Sequence, residues 1–430
     1  MLATPFLTDI DSRAAVKGSR DPLGIQQIWT GLGRHVVGNL TTVSNSVRDF
    51  TTLLLGYHFA EKLVDDLGPG TELSTFLKWE QLAAYSRAKA NEDFLFRGTE
   101  KVRKNLSEGS RVILSDERSH QILSNQKIYG LWGLYSMPAR SSGLLIGDPC
   151  RLTPVAKEFV ERRCVPILEP HAGKGATKIL QMLRSKQARL DVKANPLIEA
   201  VGKLLQPRLL KWEKDFFRTH LLHGGPDEKT DGRQQQLAVL LKELLSQAEF
   251  PWSTTVIGHL QKEAYANGTD WHPLAFRLHR IRTSESVLAP VSVLFTYLLG
   301  NDGKSIGAIT ARLREEWGTG LQTIDSEAFR EMRGELGGGD SATADRWVSI
   351  ADELCAGAFG NVLDLLIEQN ASVMVSRGGA PWIEKQDGKL RVRFRDETGR
   401  LPKRDVLESL WRFPYFLDSL RTVARTLRGP

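Results

Sequence analysis

Apolar residues recur three or four apart along most of this chain, and strand-like alternation is confined to two short stretches. The first period buries one face of a helix, the second one face of a strand. The chain is therefore expected to be mainly α, a multi-helix protein with little sheet. Val43, Val47, Phe50, Leu54, Tyr57 and Leu63 recur at helical spacing ahead of a stop at Gly68-Pro69-Gly70, so residues 21–67 read as helix, opened by Asp21-Pro22. Residues 71–90 read as a second helix, with Thr75 as its cap and Phe76, Trp79, Leu82, Ala83 and Tyr85 on its apolar side. Helical patterns return at 190–217, broken by Asn195-Pro196 and Gln206-Pro207, and again at 234–247, 347–370 and 405–427. Near the C-terminus, Trp382-Ile383-Glu384 and residues 390–394 flank Gln386-Asp387-Gly388, the signature of a β-hairpin.

A length of 430 residues suits two to four domains. We expect an N-terminal helical region at 1–74, a separate module at 75–165, a helical middle domain at 166–335 and a helical C-terminal domain with the hairpin at 336–430. The polar loop 223–232 is the best internal boundary, and the Gly-rich stretch 334–339 is a second linker or a joint between two helices. Cys150, Cys164 and Cys355 are odd in number and form no CxxC, which fits a reducing cytosol. Residues 1–20 lack a basic segment followed by a long apolar run, so no signal peptide is expected. The best apolar stretch, 287–299, contains Pro290 and falls short of the ~20 residues of a membrane span. It reads as a buried helix, and a cytoplasmic protein with no membrane partner is expected.

Residues 115–164 are the most informative. Ser115-Asp116-Glu117 opens a helix with Ile122, Ile128, Leu131 and Trp132 as its buried stripe. Met137-Pro138 starts a second, short helix that Gly143 ends. Leu144-Leu145-Ile146 and Arg151-Leu152-Thr153 read as strands about the turn Gly147-Asp148-Pro149. Thr153-Pro154 then caps a last helix through Val155, Phe159 and Val160. Helix, helix, tight hairpin, helix is the order of a winged helix–turn–helix module. The run from Gly143 through Arg151-Leu152-Thr153-Pro154 resembles the wing of MarR-like winged-helix proteins, a resemblance covering residues 115–164. It implies a module that reads DNA, docks on a protein, or serves the fold alone. Two further runs, Asn39-Leu40-Thr41-Thr42-Val43-Ser44 and residues 122–135, are similar to stretches of bacterial proteins encoded in defence islands beside ATPases and DNA-modification genes. That resemblance implies a part in a multi-protein anti-phage or DNA-restriction system and transfers no catalytic residue.

Charge is uneven. The chain carries 58 Lys and Arg against 51 Asp and Glu, yet residues 151–218 hold 15 basic and 7 acidic side chains, and residues 391–430 hold 10 and 5. Clustered cations attract polyanions through counterion release, without reading sequence. The expected DNA contacts are Arg97, Lys101, Arg103 and Lys104 ahead of the module, Arg140, Ser141 and Ser142 on its recognition helix, Arg151 in the wing, and Lys157, Arg162 and Arg163 on its last helix. Asp148 would repel phosphate there. A solvated face is the alternative, with Glu158 and Arg162 as an i,i+4 pair.

Catalytic motifs are absent or misplaced. His171-Ala172-Gly173-Lys174-Gly175 fails the Walker A spacing, and no Ser or Thr follows Lys174. His220 and His223 are the one close His pair, without the companion ligands of structural zinc. A Mg²⁺-dependent nuclease needs clustered acids beside a Lys. Asp387-Gly388-Lys389, with Glu384 and Glu368 upstream, is the candidate, although Asp-Gly also reads as the hairpin turn. Asp302-Gly303-Lys304 meets the same objection, and Asp227-Glu228-Lys229 and Asp191-Val192-Lys193 lack strand-like flanks. Trp29, Trp79, Trp132 and Trp212 read as core, whereas Trp382 or Trp411 would suit an interface if exposed. The sequence thus points to a non-catalytic component without cofactor or metal. Its expected partners are double-stranded DNA and a protein: an ATPase, nuclease or DNA-modification enzyme. A nuclease centred on the C-terminal hairpin and a winged-helix transcriptional regulator are the alternatives.

Overall fold

Ser46 accepts the amide of Asp49 and so starts the helix Val47–Leu67, which returns through Gly68-Pro69-Gly70 into the helix Glu72–Asn91. Residues 47–60 and 75–88 of this pair are buried on every side. The two helices approach closely at Gly56, where a Cβ would lie 2.5 Å from the Phe76 ring. The computed structural model describes residues 21–172, 174–247 and 249–428, and they are mainly helical. Residues 1–20, where no signal peptide is expected, lie outside the described residues. The chain divides into two compact units, one built from residues up to 36 with 248–415 and the other from 37–247 with the C-terminal segment from 416.

The second unit is organised on the pair Val47–Leu67 and Glu72–Asn91, against which the helices Leu131–Ser141 and Pro196–Leu204 pack. Because this pair is buried all round, its charged residues need internal partners. Arg87 binds Asp49 at 2.6 Å and Asp93 at 2.8 Å, and Arg48 forms a forked pair with Glu213. A two-stranded sheet, Arg111–Leu114 antiparallel to Ala188–Asp191, was not expected from the sequence. Each strand has four residues, too few for a clear alternation, and the partners are far apart in the chain.

The first unit centres on the 28-residue helix His272–Leu299, which packs on Thr254–Ala266 and Ile25–Arg34. The apolar stretch 287–299 is its buried C-terminal half, with Pro290 inside it. Helices Ser341–Ala356 and Phe359–Ser376 form an antiparallel pair turned at Gly357. Strands Ile383–Gln386 and Lys389–Val392 pair antiparallel as expected, with Asp387 and Gly388 both at positive φ, as a type I′ turn requires. Among the described residues no helix is long and apolar enough to cross a membrane.

Several local expectations need correction. Residues 21–67 are two helices, Ile25–Arg34 and Val47–Leu67, because Ser46 caps a new start and Ser44 bonds back to Thr41. Thr75 is buried within a helix that begins at Glu72 and does not cap it. Residues 115–121 form bends and turns, and Pro138 lies inside the helix Leu131–Ser141 instead of starting one. Ile128 and Val155 are exposed, and Trp382 is buried, stacked on Phe394. The loop 223–232 lies within the second unit, and 334–339 lies within the first, ahead of Ser341–Ala356.

Candidate nucleic-acid interface

The site is built on a short hairpin in the second unit. Leu145–Ile146 pairs antiparallel with Arg151–Leu152, Leu145 facing Leu152 and Ile146 facing Arg151. With two residues per strand, the ladder alone cannot hold it. Three side chains supply the rest. Thr153 donates its hydroxyl to the Gly143 carbonyl at 2.9 Å. Arg140 donates to the Gly147 carbonyl and to Cys150 Sγ, closing the turn. Glu61, on Val47–Leu67, accepts the Leu152 amide at 2.6 Å and ties the strand to the helix. Burial raises the Glu61 carboxyl above its usual range, offset in part by that amide and by Lys157 and Arg151.

Alternation then sorts the hairpin. Leu145 and Leu152 point inward, while Ile146 and Arg151 face solvent. The helix Pro154–Phe159 continues through a wide π turn, Val160–Cys164, into Val165–Ala172. Its inner side is anchored by Phe159, stacked on Phe216 with centroids 3.9 Å apart. Its outer side exposes Lys157, Arg162 and Arg163. Arg162 pairs with Glu158 at 2.9 Å, the i,i+4 contact weighed from the sequence, and Glu161 pairs with Lys62 at 3.3 Å.

The helix Leu131–Ser141 offers less to DNA than its sequence promised. Ser142 is fully buried: its hydroxyl accepts from Asn39 and donates to the Pro138 carbonyl. It cannot contact DNA without undoing those bonds. Ser141 is half-buried, and Arg140 is exposed but committed to the hairpin turn. Several exposed side chains of this region are apolar. Met137 is 67% exposed, Ile146 60%, and Ile128 and Tyr129 about half.

Arg97, Lys101, Arg103 and Lys104 lie elsewhere in the unit. Arg97 lines a cleft of 660 Å³ with Phe94, Phe96 and the Asp49–Arg87–Asp93 cluster, at the start of Val47–Leu67. Lys101, Arg103 and Lys104 are exposed on the helix Thr99–Glu108, with Arg103 over the Phe94 ring at 4.3 Å and Lys104 near Glu108. A second cleft, of 180 Å³, lies beside the hairpin, with Tyr57, His58, Glu61, Cys150, Arg151 and Lys157 on its wall. Burial pushes His58 down to about 4, so it is neutral at physiological pH. The clefts touch opposite halves of one helix, with Asp49 and Glu61 roughly 18 Å apart along its axis. Arg151 and Lys157 share the second cleft, and Arg97 lines the first.

The remaining motifs resolve into structural roles. His220 is buried with Nδ1 3.0 Å from the Ser142 carbonyl, and burial lowers its pKa and that of His223. Gly173 of the basic loop lies outside the described residues. At the C-terminal hairpin, Glu384 pairs with Arg393, Glu368 with Arg346, and Lys385 with Asp364. Asp302 accepts the Val392 amide and pairs with Arg395. Among the described residues there is no group of three or more side chains that could hold a metal ion. Glu61 was not singled out from the sequence; the available signal was a polar residue within an apolar stretch. No family model, characterised protein or solved structure matches the chain.

Proposed function

We propose that the chain is a non-catalytic DNA-binding and docking component of a bacterial anti-phage or DNA-restriction complex, acting through a winged-helix-like, MarR-like module at residues 115–164. The observation that carries this reading is the braced hairpin with Arg151 exposed on it and Lys157, Arg162 and Arg163 exposed on the helix that follows. Phosphate contacts from these side chains would position the protein on duplex DNA without reading bases. An ATPase, nuclease or DNA-modification enzyme would supply the chemistry. Ile128, Tyr129, Met137 and Ile146 are exposed on the same module and are the apolar side chains that a protein partner there would cover.

A salt titration of binding to labelled duplex DNA, with and without Mg²⁺, tests the reading. Binding is expected to weaken steeply with salt, and Arg151→Glu with Arg163→Glu to lower the log–log slope by about 2. No binding at low salt, or binding unchanged in that variant, would overturn the DNA reading and leave the apolar edge as the working surface. Met137→Ser would then abolish protection of cells from phage. Cleavage of the DNA in Mg²⁺ would overturn the non-catalytic assignment.

A further inference from the structure

The first unit contains a cavity of 390 Å³ where the start of helix Thr254–Ala266 meets the middle of His272–Leu299. Its wall is lined by Arg282, His279, Thr254, Thr255, Thr283 and Ser286. Arg282 is half-buried and has no carboxylate partner among the described residues. Its neighbours on the same helix, Arg277 and Arg280, both bind Glu335. Nδ1 of His279 is buried and has no hydrogen-bond partner. A buried nitrogen of this kind is normally paired.

The packing makes room for the cation. Glycine inside a helix costs about 1 kcal/mol relative to alanine, yet Gly258 stands within Thr254–Ala266. A Cβ there would lie 3.1 Å from Arg282 Nη1. Helix propensity is given up where the guanidinium passes. The carboxylate on the wall, Asp325, is turned to the Ala328 amide as the N-cap of the helix Ser326–Glu331. Ser286 donates to the Thr283 carbonyl at 2.8 Å, and Arg282, His279, Thr255 and Thr283 also line the space.

We propose that this cavity binds a phosphate monoester, with its phosphoryl oxygens on Arg282, His279 and the hydroxyls of Thr255 and Thr283. Donors drawn from two helices, the guanidinium fork among them, suit a group with three terminal oxygens. Pro290, Leu321 and Leu407 line the rest of the space and suit the organic part of the ligand. A free phosphorylated metabolite and the 5′-phosphate of a DNA strand carry the same chemistry.

The test is to titrate the full-length protein with inorganic phosphate, ribose 5-phosphate, and a short DNA strand with a 5′-phosphate or a 5′-hydroxyl, following the His279 ring by NMR. Phosphate is expected to move the His279 resonances and raise its pKa, with affinity falling about tenfold or more in Arg282→Gln. Gly258→Ala should weaken binding while thermal stability stays level or rises. Arg282→Lys keeps the charge, loses the fork and should also bind more weakly, which covers the case in which the glutamine variant does not fold. Preference for ribose 5-phosphate over either strand supports a metabolite, and preference for the 5′-phosphorylated strand supports a DNA end. A His279 signal unmoved by millimolar phosphate, or equal affinity in Arg282→Gln, overturns the site.

Discussion

Single buried carboxyls show how far one residue's chemistry depends on distant chain. Glu285, inside His272–Leu299, accepts the amides of Arg412 and Phe413 and the hydroxyl of Tyr415. Burial nevertheless raises its pKa from 4.5 to about 7, because those neutral donors do not replace the lost hydration of a full charge. The sign follows from linkage. The native state holds the proton more tightly, so this residue's stabilising contribution is complete below pH 4.5 and is lost as pH rises through about 7. Glu285→Gln keeps an oxygen for the two amides and can donate to Tyr415. We expect its stability advantage over the native protein to grow between pH 5 and pH 8 by on the order of 3 kcal/mol, measured by urea denaturation at both values. Parallel stabilities would show that Glu285 does not titrate in that window. Glu80, buried with a pKa of about 7, adds the same sign in the native protein. None of this was legible in the sequence. A Glu in a helical run reads as a solvated face, and its partners lie about 130 residues away.

At the scale of elements, turn chemistry was the most readable signal. Both hairpins were found from their Gly-Asp-Pro and Asp-Gly turns, and the stops at Gly68-Pro69-Gly70 and Gly143 end helices in the structure. Apolar spacing misled where capping overrode it: Val43 continues the period of the next helix but lies outside it, ahead of the Ser46 cap. The same limit applied to the site. The hairpin was visible, but its anchor on Glu61 was not, because only the fold brings the Leu152 amide to that carboxylate. A bond to a charged acceptor contributes about 1.5–3 kcal/mol. Glu61→Leu should therefore speed hydrogen exchange at Leu152 by about tenfold or more, while Glu61→Gln, which retains an acceptor, should change it far less. Equal rates in all three proteins would mean the strand is held by its own ladder and the Thr153 bond.

For the whole molecule, the distribution of charge between units matters more than its sum. The second unit, including the C-terminal segment from residue 416, holds 34 Lys and Arg against 25 Asp and Glu, and the first holds 24 against 26. The net charge of +7 thus belongs to the unit that carries the hairpin. The two basic stretches seen in the sequence are also not equivalent once folded. Around the C-terminal hairpin, Arg393 is paired with Glu384 and Arg395 with Asp302, while Arg391 binds Gln386. In the other stretch, Arg151, Lys157 and Arg163 are exposed and form no short-range salt bridge among the described residues, although Glu61 lies near Arg151 and Lys157. A cation already neutralised at short range releases few counterions when a polyanion arrives. Reversing two charges should therefore have unequal effects on duplex DNA affinity at low salt. Lys157→Glu with Arg163→Glu should weaken binding by at least about tenfold, whereas Arg393→Glu with Arg395→Glu should change it little. If the C-terminal pair proved the more damaging, the DNA surface would lie on the first unit, and the hairpin at 145–152 would be left to its apolar edge.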